Sequence, residues 1–136
     1  MYRYKYAKYS QKIMQQNGGR QLKEHLSQPF FDDVRSGRKK YEGRLNKPGK
    51  FLLDDIITWY NDDDNNYQEF TTRISKISVY DTFEEAIETV GLENILPSEY
   101  EKGSTVKQAI QNVYRRWYSE EKENEFRVIL LEFELL

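Results

Sequence analysis

The residues with the most chemical capacity stand together in Gly37-Arg38-Lys39-Lys40-Tyr41-Glu42-Gly43-Arg44. A lysine, a glutamate and an arginine fall within six residues there. On a regular strand Lys40, Glu42 and Arg44 share one face. Lys39 and Glu42 point to opposite faces, because their spacing is odd. For Lys39 to meet Glu42 it has to sit in a connection ahead of the strand, and Gly37 makes such a turn accessible. Cations on both sides favour the ionised carboxylate. The set then forms a metal-free polar pocket suited to a phosphate or a base edge. A solvated charge cluster is the alternative reading in a chain that is 32% charged.

Further candidates are scattered along the chain. His25 is the sole histidine, which rules out a two-histidine ribonuclease pair, and it reads as structural. Trp59 and Tyr60 end a core strand. Neighbours on a strand alternate, so one faces the core and the other the cleft, where a ring stacks on a base. Trp117 lies on an apolar helical stripe and reads as core, whereas Tyr118 is off that stripe and free to reach the cleft. Arg115 and Arg116 share a polar helix side with Lys107 and Gln111. With Lys40, they are candidate phosphate contacts, or part of a solvated face. Asp62-Asp63-Asp64 lacks the glycine and glutamate spacing of a calcium loop and reads as a solvated turn.

The elements that position these residues follow from periodicity and punctuation. Residues 21–26 read as a short strand, with Ser27 as N-cap and Pro29 in the first turn of a helix that carries Phe30, Phe31 and Val34. Residues 40–45 and 54–60 read as strands separated by Asn46-Lys47-Pro48-Gly49. Residues 67–80 form a long strand whose apolar phase shifts between Ile74 and Ile77, the mark of a bulge or bend. Thr82 caps a helix with Phe83, Ala86, Ile87 and Val90 on one face, and Glu85 completes the spacing of a capping box. Ser104 opens the clearest helix, with Val106, Ala109, Ile110, Val113, Tyr114 and Trp117 in one stripe. Residues 125–135 close the chain as a central strand, apolar on both faces over Val128–Leu131.

The 136 residues fit one domain with a core of its own. Aromatics make up 15%, unlike a disordered chain. There are no cysteines, so disulfides and thiolate metal sites are excluded and an intracellular setting is expected. No apolar run approaches the roughly 20 residues that span a bilayer. Residues 1–50 carry 13 Lys and Arg against 4 Asp and Glu, and residues 51–136 carry 8 against 19. Either the basic part meets a polyanion, or the two parts attract each other. Residues 1–20 interleave Tyr2, Tyr4, Tyr6 and Tyr9 with Arg3, Lys5, Lys8, Lys12 and Arg20 and contain no acid. This arm reads as a nucleic-acid contact, as an extra edge strand or as a flexible tail.

Several of these segments together resemble a known family. Gly37–Arg44 matches the GxKxxExR pattern of ASCH domains. His25-Leu26-Ser27-Gln28-Pro29-Phe30 is similar to that family's passage from strand to helix. Phe51 to Ile57 is similar to the strand that follows its motif, with Asp54-Asp55 in place of Gly-Asp. Tyr80-Asp81-Thr82-Phe83-Glu84-Glu85 resembles its Y-x-S/T-F-E-E helix start. Leu96-Pro97 and Val113-Tyr114-Arg115-Arg116-Trp117-Tyr118-Ser119 resemble its last helix. The resemblance covers residues 21–136. It implies an α+β fold, a PUA-like partly closed β-barrel of about five to six mostly antiparallel strands with about three helices around it. It also implies a cleft lined by Lys39, Glu42 and Arg44.

Members of the family are linked to RNA binding, RNA cleavage or removal of an acyl group from a modified cytidine. In the deacylating branch a lysine, a threonine three residues later and a glutamate before the last helix form the catalytic set. Lys39 matches the lysine, and Glu99, or Glu101, the acid. Glu42 stands at the threonine position, and a carboxylate held between cations is a poor replacement for a hydroxyl nucleophile. As a ribonuclease, Glu42 would be a general base, with Lys39 or Arg44 stabilising a phosphorane. The leading expectation is a module that binds RNA or a modified nucleotide in a basic cleft. Lys39, Glu42 and Arg44 are its polar contacts, and Tyr41, Trp59 or Tyr118 its stacking surface. The alternatives are an RNA hydrolase using Lys39, Glu42 and Glu99, and an adaptor that contacts a protein through residues 1–20. No cofactor, metal or membrane is expected.

Overall fold

A computed structural model describes residues 19–136. The arm reading of residues 1–20 therefore lies, for all but Gly19 and Arg20, outside the described residues. In chain order the elements are β1 (Gln21–His25), α1 (Phe30–Arg35), β2 (Glu42–Leu45), β3 (Ile56–Asn61) and β4 (Gln68–Tyr80). Then follow α2 (Phe83–Val90), α3 (Leu92–Ile95), α4 (Pro97–Glu101), α5 (Val106–Asn112), a 3₁₀ turn (Tyr114–Arg116), α6 (Glu120–Phe126) and β5 (Val128–Leu135).

The five strands form one sheet in the order β1-β3-β4-β5-β2. β1 runs parallel to β3, and the other neighbours are antiparallel. β4 carries the curl. Its first half pairs with β3 and its second with β5, with a register shift between Ile74 and Lys76. The extra residue there lets Ile74 and Ile77 both face inward despite their odd spacing, and both are buried. The result is a curled half-barrel wrapped by helices, as expected. Val128 to Leu131 are buried where β5 lies between β4 and β2. Trp59, Phe31, Phe83, Ile57 and Leu130 are among the fully buried side chains that fill the interior.

The helices differ from expectation in number and extent. Among the described residues there are six α-helices rather than three, because α3 and α4 are too short to show a stripe and α6 is mostly charged. Ser27 does not cap α1. Pro29 takes the cap position, and the Asp32 N–H donates to the Gln28 side chain at 3.2 Å. Thr82 caps α2 by accepting from the Glu85 N–H at 3.0 Å, while the Glu85 carboxylate takes the Asp81 N–H at 3.3 Å. A reciprocal capping box stands on α5 instead, between Thr105 and Gln108. α5 ends at Asn112 rather than running to Trp117, and the tighter 3₁₀ turn swings Trp117 off the stripe. Trp117 is 51% exposed and is not core. The charge asymmetry is met partly inside the fold. Arg20 pairs with the buried Asp55 at 2.6 Å, and Arg38 pairs with Glu101. No helix among the described residues is long and apolar enough to cross a membrane.

Candidate functional site

The half-barrel leaves a seam where its two edge strands face each other. A cavity of about 320 Å³ opens there. His25 at the end of β1 and Glu42, Gly43 and Arg44 of β2 contribute one side. Ser27, Phe30, Lys39, Leu96, Val113, Tyr114, Trp117 and Tyr118 complete it.

The connection ahead of β2 places Lys39 as its spacing requires. Gly37 adopts φ +85°, open to glycine, and turns the chain out of α1. The Lys39 N–H donates to Asp33 O at 2.9 Å and the Lys40 N–H to Asn94 O at 2.7 Å, which fixes the loop. The Lys39 side chain is 1% exposed. Its Nζ donates to Ile95 O and lies 3.5 Å from Glu42 Oε1. The other Glu42 oxygen accepts from Arg44 Nε at 2.8 Å. Arg44 spans the seam, with one nitrogen 3.3 Å from His25 O and another 3.6 Å from Glu24. Lys39 and Arg44 are thus set against Glu42 and Glu24. Among the described residues Glu42 is the one carboxylate in the cleft lining, beside Lys39 and Arg44, while Glu24 lies outside the lining and is shared with Lys50 at 3.5 Å.

Burial pushes the Lys39 ammonium below its ordinary 10.5, and Glu42 only partly opposes this. The unfolded chain therefore holds this proton to higher pH than the folded protein does. Between the depressed folded value and 10.5 the unfolded state binds more protons, so the Lys39 contribution to stability rises with pH. Lys39→Met removes that slope. In denaturant titrations at increasing pH, the wild type should gain on Lys39→Met as pH approaches 10.5. A constant difference between the two proteins would refute the assignment.

The remaining expected residues divide. Tyr118 lines the cavity, as its place off the stripe implies. Trp59 does not. It is fully buried, donates from Nε1 to Thr72 Oγ1 at 2.9 Å, and supports the Arg44 guanidinium 5.5 Å above its ring. Tyr60, its neighbour, turns to the other face against His25 and Tyr67. Tyr41 is outside the lining, where burial and Glu132 raise its hydroxyl above its usual range. Lys40 borders a different recess beside Glu132 and Phe133.

Arg115 is drawn away to Glu123 at 2.7 Å. Arg116 stacks on Trp117 at 4.7 Å and borders a neighbouring recess. Glu99 lines that recess rather than the cleft. It accepts from Lys102 at 2.6 Å, Asn112 at 2.9 Å and Ser104 at 3.0 Å. Burial works against its charge, but those donors outweigh it and hold the carboxyl below its usual range. Lys39 and Glu42 therefore meet without Glu99. His25 gathers with Asp62 and Asp63, its Nε2 3.2 Å from Asp63 Oδ1. The Asn61 amide already donates to that Asp63 carboxylate at 3.0 Å.

Sequence reasoning missed Phe30, Tyr114 and Trp117 as cleft residues. All three sit at helical spacings typical of core, and Trp117 meets Phe30 edge-on at 6.2 Å beside the cavity. The GxKxxExR spacing flags only the β2 side.

Comparison with known proteins agrees with this architecture. The crystal structure of hypothetical protein PH0355 superposes with a TM-score of 0.70 at 27% identity, covering 85% of this chain and 99% of that one. The solution structure of protein PF0455 from Pyrococcus furiosus gives 0.66 at 32% identity, covering 85% and 97%. No curated protein matches the chain. The family model of the ASCH domain matches residues 25–136, so the chain belongs to the ASCH domain family.

Proposed function

We propose that the protein binds RNA by taking one nucleotide residue into the seam cleft, and that it binds the free nucleotide in the same way. The observation that carries this reading is the convergence of Lys39, Glu42 and Arg44 on one small cavity with aromatic walls. Its volume is at the low end of the roughly 300–1,000 Å³ range of small-molecule pockets, which suits a single residue rather than a length of strand. Lys39 and Arg44 donate, Glu42 accepts, and Trp117 and Tyr118 offer ring faces, the combination used to hold splayed-out bases. Binding is favoured over catalysis because the acid Glu99 is engaged by Lys102, Ser104 and Asn112 and lies outside the cleft. The setting is taken as intracellular.

The basic tyrosine-rich segment ahead of β1 supplies strand affinity in this reading. The test is titration of short single-stranded RNA and of nucleoside monophosphates at several salt concentrations. The 136-residue chain should bind both, and Lys39→Ala should weaken both. Deleting residues 1–18 removes Arg3, Lys5, Lys8 and Lys12. That should flatten the log–log salt dependence of RNA binding by up to about 3, while leaving monophosphate binding intact. Absence of binding to either ligand would overturn the reading. Loss of a protein partner on the same deletion, with RNA binding unchanged, would favour an adaptor.

A further inference from the structure

We infer that Tyr114 reads the edge of a neutral nucleobase in the cleft, its hydroxyl, held against Gly43, hydrogen-bonding the base. The inference rests on the proposed cleft function and assigns to it a residue and a ligand group.

The Tyr114 side chain is 3% exposed, and among the described residues its hydroxyl has no hydrogen-bond partner. A buried hydroxyl without a partner is uncommon in folded proteins and calls for an explanation. Rotation does not offer one, because Phe83 stacks flat on the Tyr114 ring, with centroids 3.9 Å apart and planes 10° from parallel. Tyr114 lines the cleft together with Glu42, Gly43 and Arg44. Burial, with Glu42 adding to it, pushes the hydroxyl well above its usual 10.0, so at neutral pH it keeps its proton and can donate.

Gly43 supplies the second observation. A Cβ built at this position would lie 2.8 Å from the Tyr114 hydroxyl. Any other residue at this position would press on that oxygen and displace it from its place in the lining.

Charge decides between a phosphate and a base as the group it meets. Both cations of the cleft lining, Lys39 and Arg44, are already engaged by Glu42. A dianionic phosphate there would face the Glu42 carboxylate and have to compete with it for both cations. A neutral base edge presents N–H donors beside carbonyl or ring-nitrogen acceptors. The Glu42 carboxylate takes such a donor, and the Tyr114 hydroxyl gives to such an acceptor.

The test is calorimetric titration of wild type, Tyr114→Phe and Glu42→Gln with the four common nucleosides and their 5′-monophosphates, alongside thermal melting. Tyr114→Phe should melt no lower than wild type, since no hydrogen bond within the protein is lost. It should bind the preferred nucleoside about 5- to 10-fold more weakly, the yield of one neutral hydrogen bond. The loss should be equal for the nucleoside and its monophosphate. If Tyr114→Phe binds as wild type does while Glu42→Gln is weakened, the Tyr114 assignment falls and the cleft reading stands. A loss confined to the monophosphates would place the hydroxyl on phosphate and overturn the base assignment. If wild type binds no nucleoside or nucleotide, both readings fall together. Gly43→Ala is the independent probe. It should weaken binding at least 10-fold, and wild-type affinity in that variant would overturn the role given to Gly43.

Discussion

Glu42→Ala is expected to destabilise the protein by about 3–5 kcal/mol, the usual consequence of removing one partner from a buried ion pair. The carboxylate lies between Lys39 at 3.5 Å and Arg44 at 2.8 Å, and its side chain is only 9% exposed. Without it two cations face each other across a space with little water to screen them. The change should appear as a lower denaturation midpoint with an unaltered m-value, because the surface exposed on unfolding hardly changes. Glu42→Ala combined with Lys39→Met should recover part of the loss, since the more deeply buried cation is then gone as well. A single variant as stable as wild type would mean that solvent reaches the pair freely, and the description of the cleft floor would be wrong.

The second large effect belongs to a residue outside the cleft. Trp59→Ala should remove about 3–5 kcal/mol of stability, the range for truncating a fully buried large aromatic. Three contacts go together: the interior packing, the hydrogen bond to Thr72 Oγ1, and the ring face beneath Arg44. Because the third supports a cleft cation, ligand affinity should fall even though Trp59 touches no ligand. Trp59→Phe separates these effects. It keeps most of the packing and the ring face, so affinity should survive while a smaller stability loss reports the missing hydrogen bond. Chemical denaturation and ligand titration on the two variants would show this. Unchanged affinity in Trp59→Ala would remove the supporting role.

These two residues also mark where the sequence is legible. The Glu42 environment follows from strand parity. An odd spacing bars Lys39 from the Glu42 face unless Lys39 precedes the strand, and it does. The bend in β4 was readable from the phase shift between Ile74 and Ile77. The destination of Trp59 was not, because alternation says that Trp59 and Tyr60 part ways but not which face holds the cleft. That depends on β1, β2 and the helices meeting at the seam.

The last helix shows another limit. The stripe through Ile110, Val113, Tyr114 and Trp117 is continuous in sequence, yet the chain tightens after Asn112 and Trp117 emerges. α6 has no stripe to find, since Glu120 to Phe126 are mostly charged. Besides Phe126, which packs against the core, what holds it is polar. The buried Glu123 accepts from the Phe83 N–H at 2.6 Å and pairs with Arg115. The same pairing ties Arg115 to Glu123, which side-chain type alone does not foretell.

The pairing of β2 has a consequence for how the protein is made. Among the described residues its only strand partner is β5, with Glu42 opposite Leu131 and Leu45 opposite Val128. The motif emerges from the ribosome well ahead of the strand that holds it in place. Closing so long a loop is slow, and until it closes Glu42 and Arg44 have no wall to belong to. The cleft is thus among the last features of this domain to form. A chain cut short before Val128 would carry every motif residue and still have no site.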